Sequence, residues 1–216
     1  MDLGTALRHS AAKNPHKDAL VCRGVTVTYE ELDRATDRLA RWLLLQGLTG
    51  GDRVAIHWMN SVEVVKLFFA CFKAGLIAVP VNNRLKPPEI AYILEHCKSQ
   101  NLFQPAGTGC AVRGGAPECR VHVSLPAFDS AGEVLELPVV SSDRVAAILY
   151  TSGTTARPKG VTHTHLSLTG CTELMISLGL DERDILLVIT QMLHISGWRA
   201  GCCSSWWKSR GASRMK

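Results

Sequence analysis

Apolar positions along the first half of the chain alternate between two rhythms, a spacing of three to four residues and short unbroken runs. From Asp2 to Ala12 the spacing is helical and stops before Asn14-Pro15. Ala19-Leu20-Val21-Cys22 and Val25-Thr26-Val27 are short runs parted by Arg23-Gly24, a hairpin signal. Thr28 and Glu31 are spaced as a capping box, each side chain able to satisfy the other's orphan backbone N–H. Leu32, Ala35, Leu39, Trp42 and Leu43 give the helix that follows its apolar face, and Gly47 stops it. Gly50-Gly51-Asp52 then turns the chain into a strand at Val54-Ala55-Ile56. Asn60 and Glu63 form a second box-like start, for a helix that uses Val64, Val65, Phe68, Phe69 and Phe72 and ends near Gly75. Leu76 to Val81 is apolar, β-branched and closed by Pro80, so it reads as a strand. Glu89 to Cys97 reads as a helix with Ile90, Ile93, Leu94 and Cys97 on one face.

Strand and helix in alternation imply an α/β protein, a layered and mostly parallel sheet covered by helices. The stretch from Asn101 to Pro138, rich in glycine and proline, reads as loops with one strand at Val121-His122-Val123. Val145 to Leu149 is a short continuous apolar run, the pattern of a buried strand. Beyond it, from about Thr164, helical spacing returns in Leu168, Cys171, Met175 and Leu178, and Ile185 to Ile189 reads as another strand.

The strand at Val145 runs into Tyr150-Thr-Ser-Gly-Thr-Thr-Ala-Arg-Pro-Lys-Gly-Val161. Gly153 is free to take φ > 0 and expose neighbouring N–H groups. Thr151, Ser152, Thr154 and Thr155 add hydroxyl donors, Pro158 stiffens the turn and Lys159 brings a point charge. Clustered donors with one ammonium suit a polyphosphate. The order of residues is not that of a Walker A loop, because Pro158 precedes Lys159 and Gly160 follows it.

These residues closely resemble the signature loop of the adenylate-forming enzymes, the family of acyl- and aryl-CoA synthetases, luciferases and peptide-synthetase adenylation domains. Ala156 stands where many members have glycine. The runs Thr-Tyr-x-Glu-Leu, Gly-Asp-Arg-Val-Ala-Ile, Asn-Ser, Ala-Gly and Val-Pro-Val-Asn resemble the opening third of an acyl-CoA synthetase. The resemblance implies that Thr151, Ser152, Gly153, Thr154, Thr155 and Lys159 grip the ATP phosphates. His194-Ile195-Ser196-Gly197 resembles the family's next motif, with Gln191 in place of its proline and Leu193 in place of its aromatic. It marks His194 as a candidate near the acyl pocket. The implied activity is ATP-dependent activation of a carboxylic acid, a fatty acid by preference, to an acyl-adenylate and then an acyl-CoA. ATP, Mg2+ and CoA are the implied cofactors. Two other outcomes are consistent with the same residues: delivery of the acyl group to a carrier-protein thiol or to oxygen, or a non-catalytic truncated product.

Charge and cysteines narrow the picture. The net charge is +5, and Arg199, Lys208, Arg210, Arg214 and Lys216 are five of the 24 basic residues, with no acid among them. The remaining body is neutral, which gives no footprint for nucleic acid. The eight cysteines form no CxxC pair or metal-ligand spacing, and Cys22, Cys71, Cys97 and Cys171 sit in apolar contexts as buried thiols. The apolar stretch Val62 to Val81 is broken by Glu63, Lys66 and Lys73, so no transmembrane segment is expected. The expectation is a soluble protein of the reducing cytoplasm, with its oligomeric state open.

The family's proteins are more than twice as long as 216 residues. The expected division is residues 1–198 as the N-terminal portion of the AMP-binding large domain and residues 199–216 as an atypical basic tail, the small C-terminal domain being absent. The stretch from Gly201 to Arg210 lacks helical periodicity and carries adjacent tryptophans. With common codons its neighbouring reading frame spells Leu-Leu-Gln-Gln-Leu-Val-Glu, the pattern of a shifted frame.

Overall fold

The computed structural model describes residues 1–108, 119–126, 135–151, 157–170 and 184–192. Helix α1 (Leu3–Lys13) is followed by a hairpin of β1 (Asp18–Cys22) and β2 (Val25–Thr28), then by α2 (Tyr29–Leu45) and β3 (Arg53–Ile56). Next come α3 (Val62–Ala74), β4 (Ile77–Pro80), α4 (Pro87–Cys97), β5 (Asn101–Phe103), β6 (Arg120–His122), β7 (Val145–Thr151) and β8 (Lys159–Thr164). Strands β1 and β2 pair with each other alone, and the other six form one sheet in the order β6-β5-β3-β4-β7-β8. Every pairing in that sheet is parallel except the one between β7 and β8. The expected fold class is therefore the observed one.

Local chemistry sets the element ends. Asp2 caps α1 through its carboxylate, which accepts from the Thr5 N–H at 2.9 Å. The Thr28–Glu31 capping box opens α2, with the Glu31 carboxylate accepting from the Thr28 N–H at 2.8 Å. Arg23 and Gly24, both at positive φ, close the β1–β2 hairpin. Helix α3 ends on Gly75 in the left-handed conformation.

The sheet divides the core into two faces by strict alternation. Val54, Ile56 and Ala78 join α1, α2 and α3 in one cluster, while Ala55 and Val79 join Ile90, Ile93 and Leu94 of α4 in the other. Between α3 and its neighbours lies a buried charge. Lys73, whose side chain is fully shielded, donates to Asp33 and Asp37 of α2 at 2.6 Å each. A Cβ on Gly4 would come within 2.8 Å of Lys73 Cγ, so α1 crosses α3 closely only because position 4 is glycine.

Five expectations are corrected. The cap of α3 is Ser61, whose hydroxyl accepts from Val64 N–H at 3.4 Å, and not Asn60. Helix α4 starts two residues earlier than expected, because Pro87 and Pro88 occupy its first turn, where an absent N–H costs nothing. The region from Asn101 contains the fully buried strand β5 as well as β6, since a three-residue strand carries too little periodicity to register. The end of the loop motif forms strand β8, whose polar, exposed residues hide it from an apolar pattern, and the helix expected from about Thr164 begins at His165. Residues 184–189 form no strand, and Ile185, Leu187 and Ile189 are 94%, 82% and 83% exposed. Of the expected buried thiols, Cys71 and Cys97 are buried and Cys22 is half-buried. Cys171, Met175 and Leu178 lie outside the described residues, as do residues 199–216.

Candidate functional site

The carboxyl ends of the parallel strands gather the polar residues of interest. His57 follows β3, Asn83 lies just past β4, Gln104 follows β5, and Thr151 is the last residue of β7. In open α/β sheets this edge is where ligands bind, because the strands stop there and the connecting loops are free to carry chemistry. Thr151 on β7 pairs in register with Lys159 on β8. Antiparallel partners stand about 5 Å apart, so the hairpin brings the hydroxyl-rich and the cationic ends of the motif together. Both residues are exposed. Ser152, Gly153, Thr154, Thr155 and Ala156, together with His194, lie outside the described residues.

The base of this hairpin is built more heavily than its sequence announces. Tyr150 pairs with Gly160, and a Cβ on Gly160 would come within 2.9 Å of Ile148 Cγ2 and 3.2 Å of Tyr150 Cζ. Glycine is therefore needed after Lys159 for the Tyr150 ring to lie across β8. The Tyr150 hydroxyl meets His96 Nδ1 at 2.7 Å, and the two rings stand edge to face. Burial, and after it the neighbouring Cys97 thiol, pushes the Tyr150 hydroxyl well above the ordinary phenol range, so it stays protonated. The Arg157 guanidinium lies over the Tyr92 ring at 5.6 Å from its centroid, within cation–π range. Residues Tyr92, His96, Tyr150 and Arg157 thus clamp the hairpin to α4. Sequence reasoning missed all four. One signal was available, because alternation along β7 places Tyr150 on the same face as Ile148, toward α4.

His57 is 3% exposed, and burial holds its imidazole below the usual histidine range, with Gln104 and the Asn83 backbone as the polar groups that oppose the shift. Neither ring nitrogen makes a hydrogen bond of good geometry. A cleft of roughly 170 Å3 opens between the β3 and β4 ends and residues 191–192, with Trp58, Phe68 and Pro80 among its apolar lining. Among the described residues no group of three His, Cys, Asp or Glu side chains could hold a metal ion. No helix of the described residues is long and apolar enough to cross a membrane.

Comparison with known proteins agrees with this architecture. The AMP-binding enzyme family matches residues 7–208. The chain is 35% identical over 209 residues to a fatty acid–acyl-carrier-protein ligase of Streptomyces coeruleorubidus, covering 93% of this chain and 40% of that protein. It is 33% identical to a long-chain-fatty-acid–CoA ligase of Mycobacterium tuberculosis, covering 90% of this chain and 41% of the relative. The chain therefore spans about two fifths of the length of the curated relatives it matches. Among solved structures, the inhibitor-bound N-terminal domain of FACL13 from Mycobacterium tuberculosis superposes with a TM-score of 0.80 at 30% identity, over 95% of this chain and 55% of that one. A Bacillus subtilis O-succinylbenzoate CoA synthetase in complex with AMP gives 0.81 at 29% identity, over 94% and 42%.

Proposed function

The chain belongs to the AMP-binding enzyme family, and from that premise we propose that it supplies the phosphate-gripping, N-terminal part of an ATP-dependent acid–thiol ligase. The acid is a carboxylic acid, a fatty acid by preference, which attacks the α-phosphorus of ATP. Pyrophosphate leaves, and the acyl-adenylate passes its acyl group to the thiol of CoA. Residues 1–198 belong to the AMP-binding large domain in this reading, and residues 199–216 form the atypical tail. The observation that carries it is the β7–β8 hairpin, which sets Thr151 opposite Lys159 at the carboxyl edge of the sheet.

Within this reading Thr151, Ser152, Gly153, Thr154 and Thr155 offer donors to the phosphate oxygens, and Lys159 opposes the negative charge that gathers on the departing pyrophosphate. His194 lies near the acyl group. Mg2+ would neutralise phosphate charge when bound, but no described cluster fits it, so no step here is assigned to it. The groups that by resemblance hold adenine and ribose are not among these residues, and the 216 residues alone are proposed not to turn over.

A second reading is favoured by the 35% identical relative, which is a ligase to acyl-carrier protein. There the same adenylate passes to a carrier-protein thiol.

The test is Lys159→Ala in a polypeptide that carries this chain with the rest of the synthetase. Loss of one charge-assisted hydrogen bond, about 1.5–3 kcal/mol, lowers single-turnover adenylate formation roughly ten- to a hundred-fold. ATP affinity and melting temperature stay close to wild type, since Lys159 is exposed at the start of an edge strand. Early melting with a normal rate would make the lysine structural and end this reading.

A further inference from the structure

The amino ends of the parallel strands, opposite the carboxyl edge, carry a second cleft, of roughly 140 Å3. Three neighbouring strands open there on a polar side chain: Arg120 on β6, Asn101 on β5 and Arg53 on β3. Lys98, between α4 and β5, and Gln46, at the end of α2, line the same cleft. Along β5 the step from Asn101 to Gln104 is about 10 Å, so this cleft is separate from the carboxyl edge.

Several of its charges are already engaged. Arg53 donates to the carbonyls of Cys97, Lys98 and Gly51 at 2.6, 2.7 and 3.2 Å, which offsets the negative end of α4. Asp52 accepts from the Thr49 N–H and hydroxyl at 2.8 and 3.0 Å. Lys98 and Arg120 are exposed, and among the described residues no carboxylate pairs with either. The Arg120 guanidinium has one hydrogen bond there, to Gln46 Oε1 at a long 3.4 Å.

Asn101 is the buried member, 9% exposed. Its Oδ1 lies 3.0 Å from His122 Nε2. The His122 ring is stacked on Phe103 and edge to face with Trp42, and burial, then the Arg120 charge, favour its neutral form. With His122 donating through Nε2, the Asn101 oxygen is taken and its amide nitrogen is left to donate.

We propose that this cleft binds a small tetrahedral oxyanion of the phosphate class, held by Asn101 Nδ2, the Arg120 fork and the Lys98 ammonium. Two cations without an acid favour an anion, and the planar guanidinium suits phosphate oxygens. The buried amide adds a fixed donor, and the cavity is far larger than one water needs. The site stands independently of the acid-activating reading.

The experiment titrates the 216-residue chain with inorganic phosphate and follows backbone amide NMR shifts. Saturable shifts are expected at Lys98, Asn101 and Arg120. Sulfate competes, and acetate, planar and singly charged, binds more weakly. Because the β7–β8 hairpin motif also suits phosphate, the titration is repeated in Lys159→Ala, where the shifts at the amino edge persist. Arg120→Gln weakens binding about tenfold, the loss of one charge-assisted hydrogen bond. Asn101→Asp keeps an oxygen for His122 but replaces the donor with a negative acceptor, so binding is lost while melting stays near wild type. Should Asn101→Asp fail to fold, Arg120→Gln, on the exposed edge strand, decides alone. Arg34→Gln, about 18 Å from Gln46 along α2, is the control and leaves the affinity unchanged. No saturable shift, or shifts confined to Thr151 and Lys159, would overturn the site. So would an affinity lowered equally by Arg34→Gln and Arg120→Gln, which would mark an adventitious ion only.

Discussion

Helix α3 and residues 184–192 are both strongly apolar, and they meet opposite fates. Along α3 every residue from Val62 to Ala74 is buried except Glu63 and Lys66, with Phe68, Phe69 and Phe72 almost fully sealed between α1, α2 and the sheet. Along 184–192, three large aliphatic side chains face outward and the backbone leans on Asn60. The difference lies in the partners, since an apolar run becomes core only where a second layer covers it. His165 stands on the seam between α3 and the β7–β8 hairpin. Completely buried just after β8, it accepts the Leu3 N–H through Nδ1 at 3.2 Å and packs edge to face on Phe72. It ties the late hairpin to α1 and α3.

The largest break in this contrast is Phe72→Ala. Removing a sealed aromatic from the three-helix face costs about 3–5 kcal/mol, read as a lower denaturation midpoint. An effect under 1 kcal/mol would mean that this face is loosely packed.

Acid tests the seam next. Burial holds the His165 imidazole down to about 4, with the N-terminal ammonium and Arg144 acting the same way and Asp2 opposing them. The fold requires the neutral ring, because Nδ1 must accept from Leu3. Its folded value lies below the ordinary 6.5, so the stability it contributes is whole above pH 6.5 and is lost as pH falls toward 4. A shift of that size corresponds to roughly 3 kcal/mol. His165→Gln keeps an acceptor without titrating, and it should flatten the stability profile between pH 6.5 and 4 by a comparable amount. His57 and His122, also held low by burial, leave a smaller residual slope. An unchanged profile would remove His165 from the acid response.

Thr28→Ala is a milder probe of the well-packed region. It removes one half of the capping box at the start of α2 and costs about 1 kcal/mol in urea unfolding. Glu31 sharpens this, because its bonds to Thr28 hold its carboxyl below the usual glutamate range. Its contribution is present above the ordinary carboxylate value and fades as pH falls through the lowered one, so acid should shrink the difference between Thr28→Ala and wild type.

The smallest effect is expected where exposure is greatest. Replacing Ile185, Leu187 and Ile189 together by serine should leave stability within about 0.5 kcal/mol per site. It should reduce self-association and binding of a hydrophobic dye, since exposed apolar patches promote both. A loss of several kcal/mol would show that these side chains are buried in solution.

The amino-acid sequence determined a good deal by itself. The capping box at Thr28 and Glu31, the Arg23-Gly24 turn, the stop at Gly75 and the apolar faces of α2, α3 and α4 are local matters, decided by spacing and backbone preference. The alternation of strand and helix then fixed the α/β class, and the residues from Tyr150 to Val161 identified the family. Tertiary structure decided what depends on distant partners. Strand β5 exists because β3 and β6 flank it, and β8, with four exposed residues out of six, exists because β7 offers it an edge. Residues 185–189 have the composition of a strand, but among the described residues no strand pairs with them. Asn60, legible as a helix cap, instead bonds the backbone at Thr190 and Met192, because Ser61 had taken the cap and that segment lay within reach. Tyr150 was legible only as the end of a strand, and the approach of α4 and the space left by Gly160 gave it His96 as a partner. Backbone propensity acts over a few residues and can be read along the chain, whereas burial and long-range hydrogen bonds depend on which segments the fold brings together.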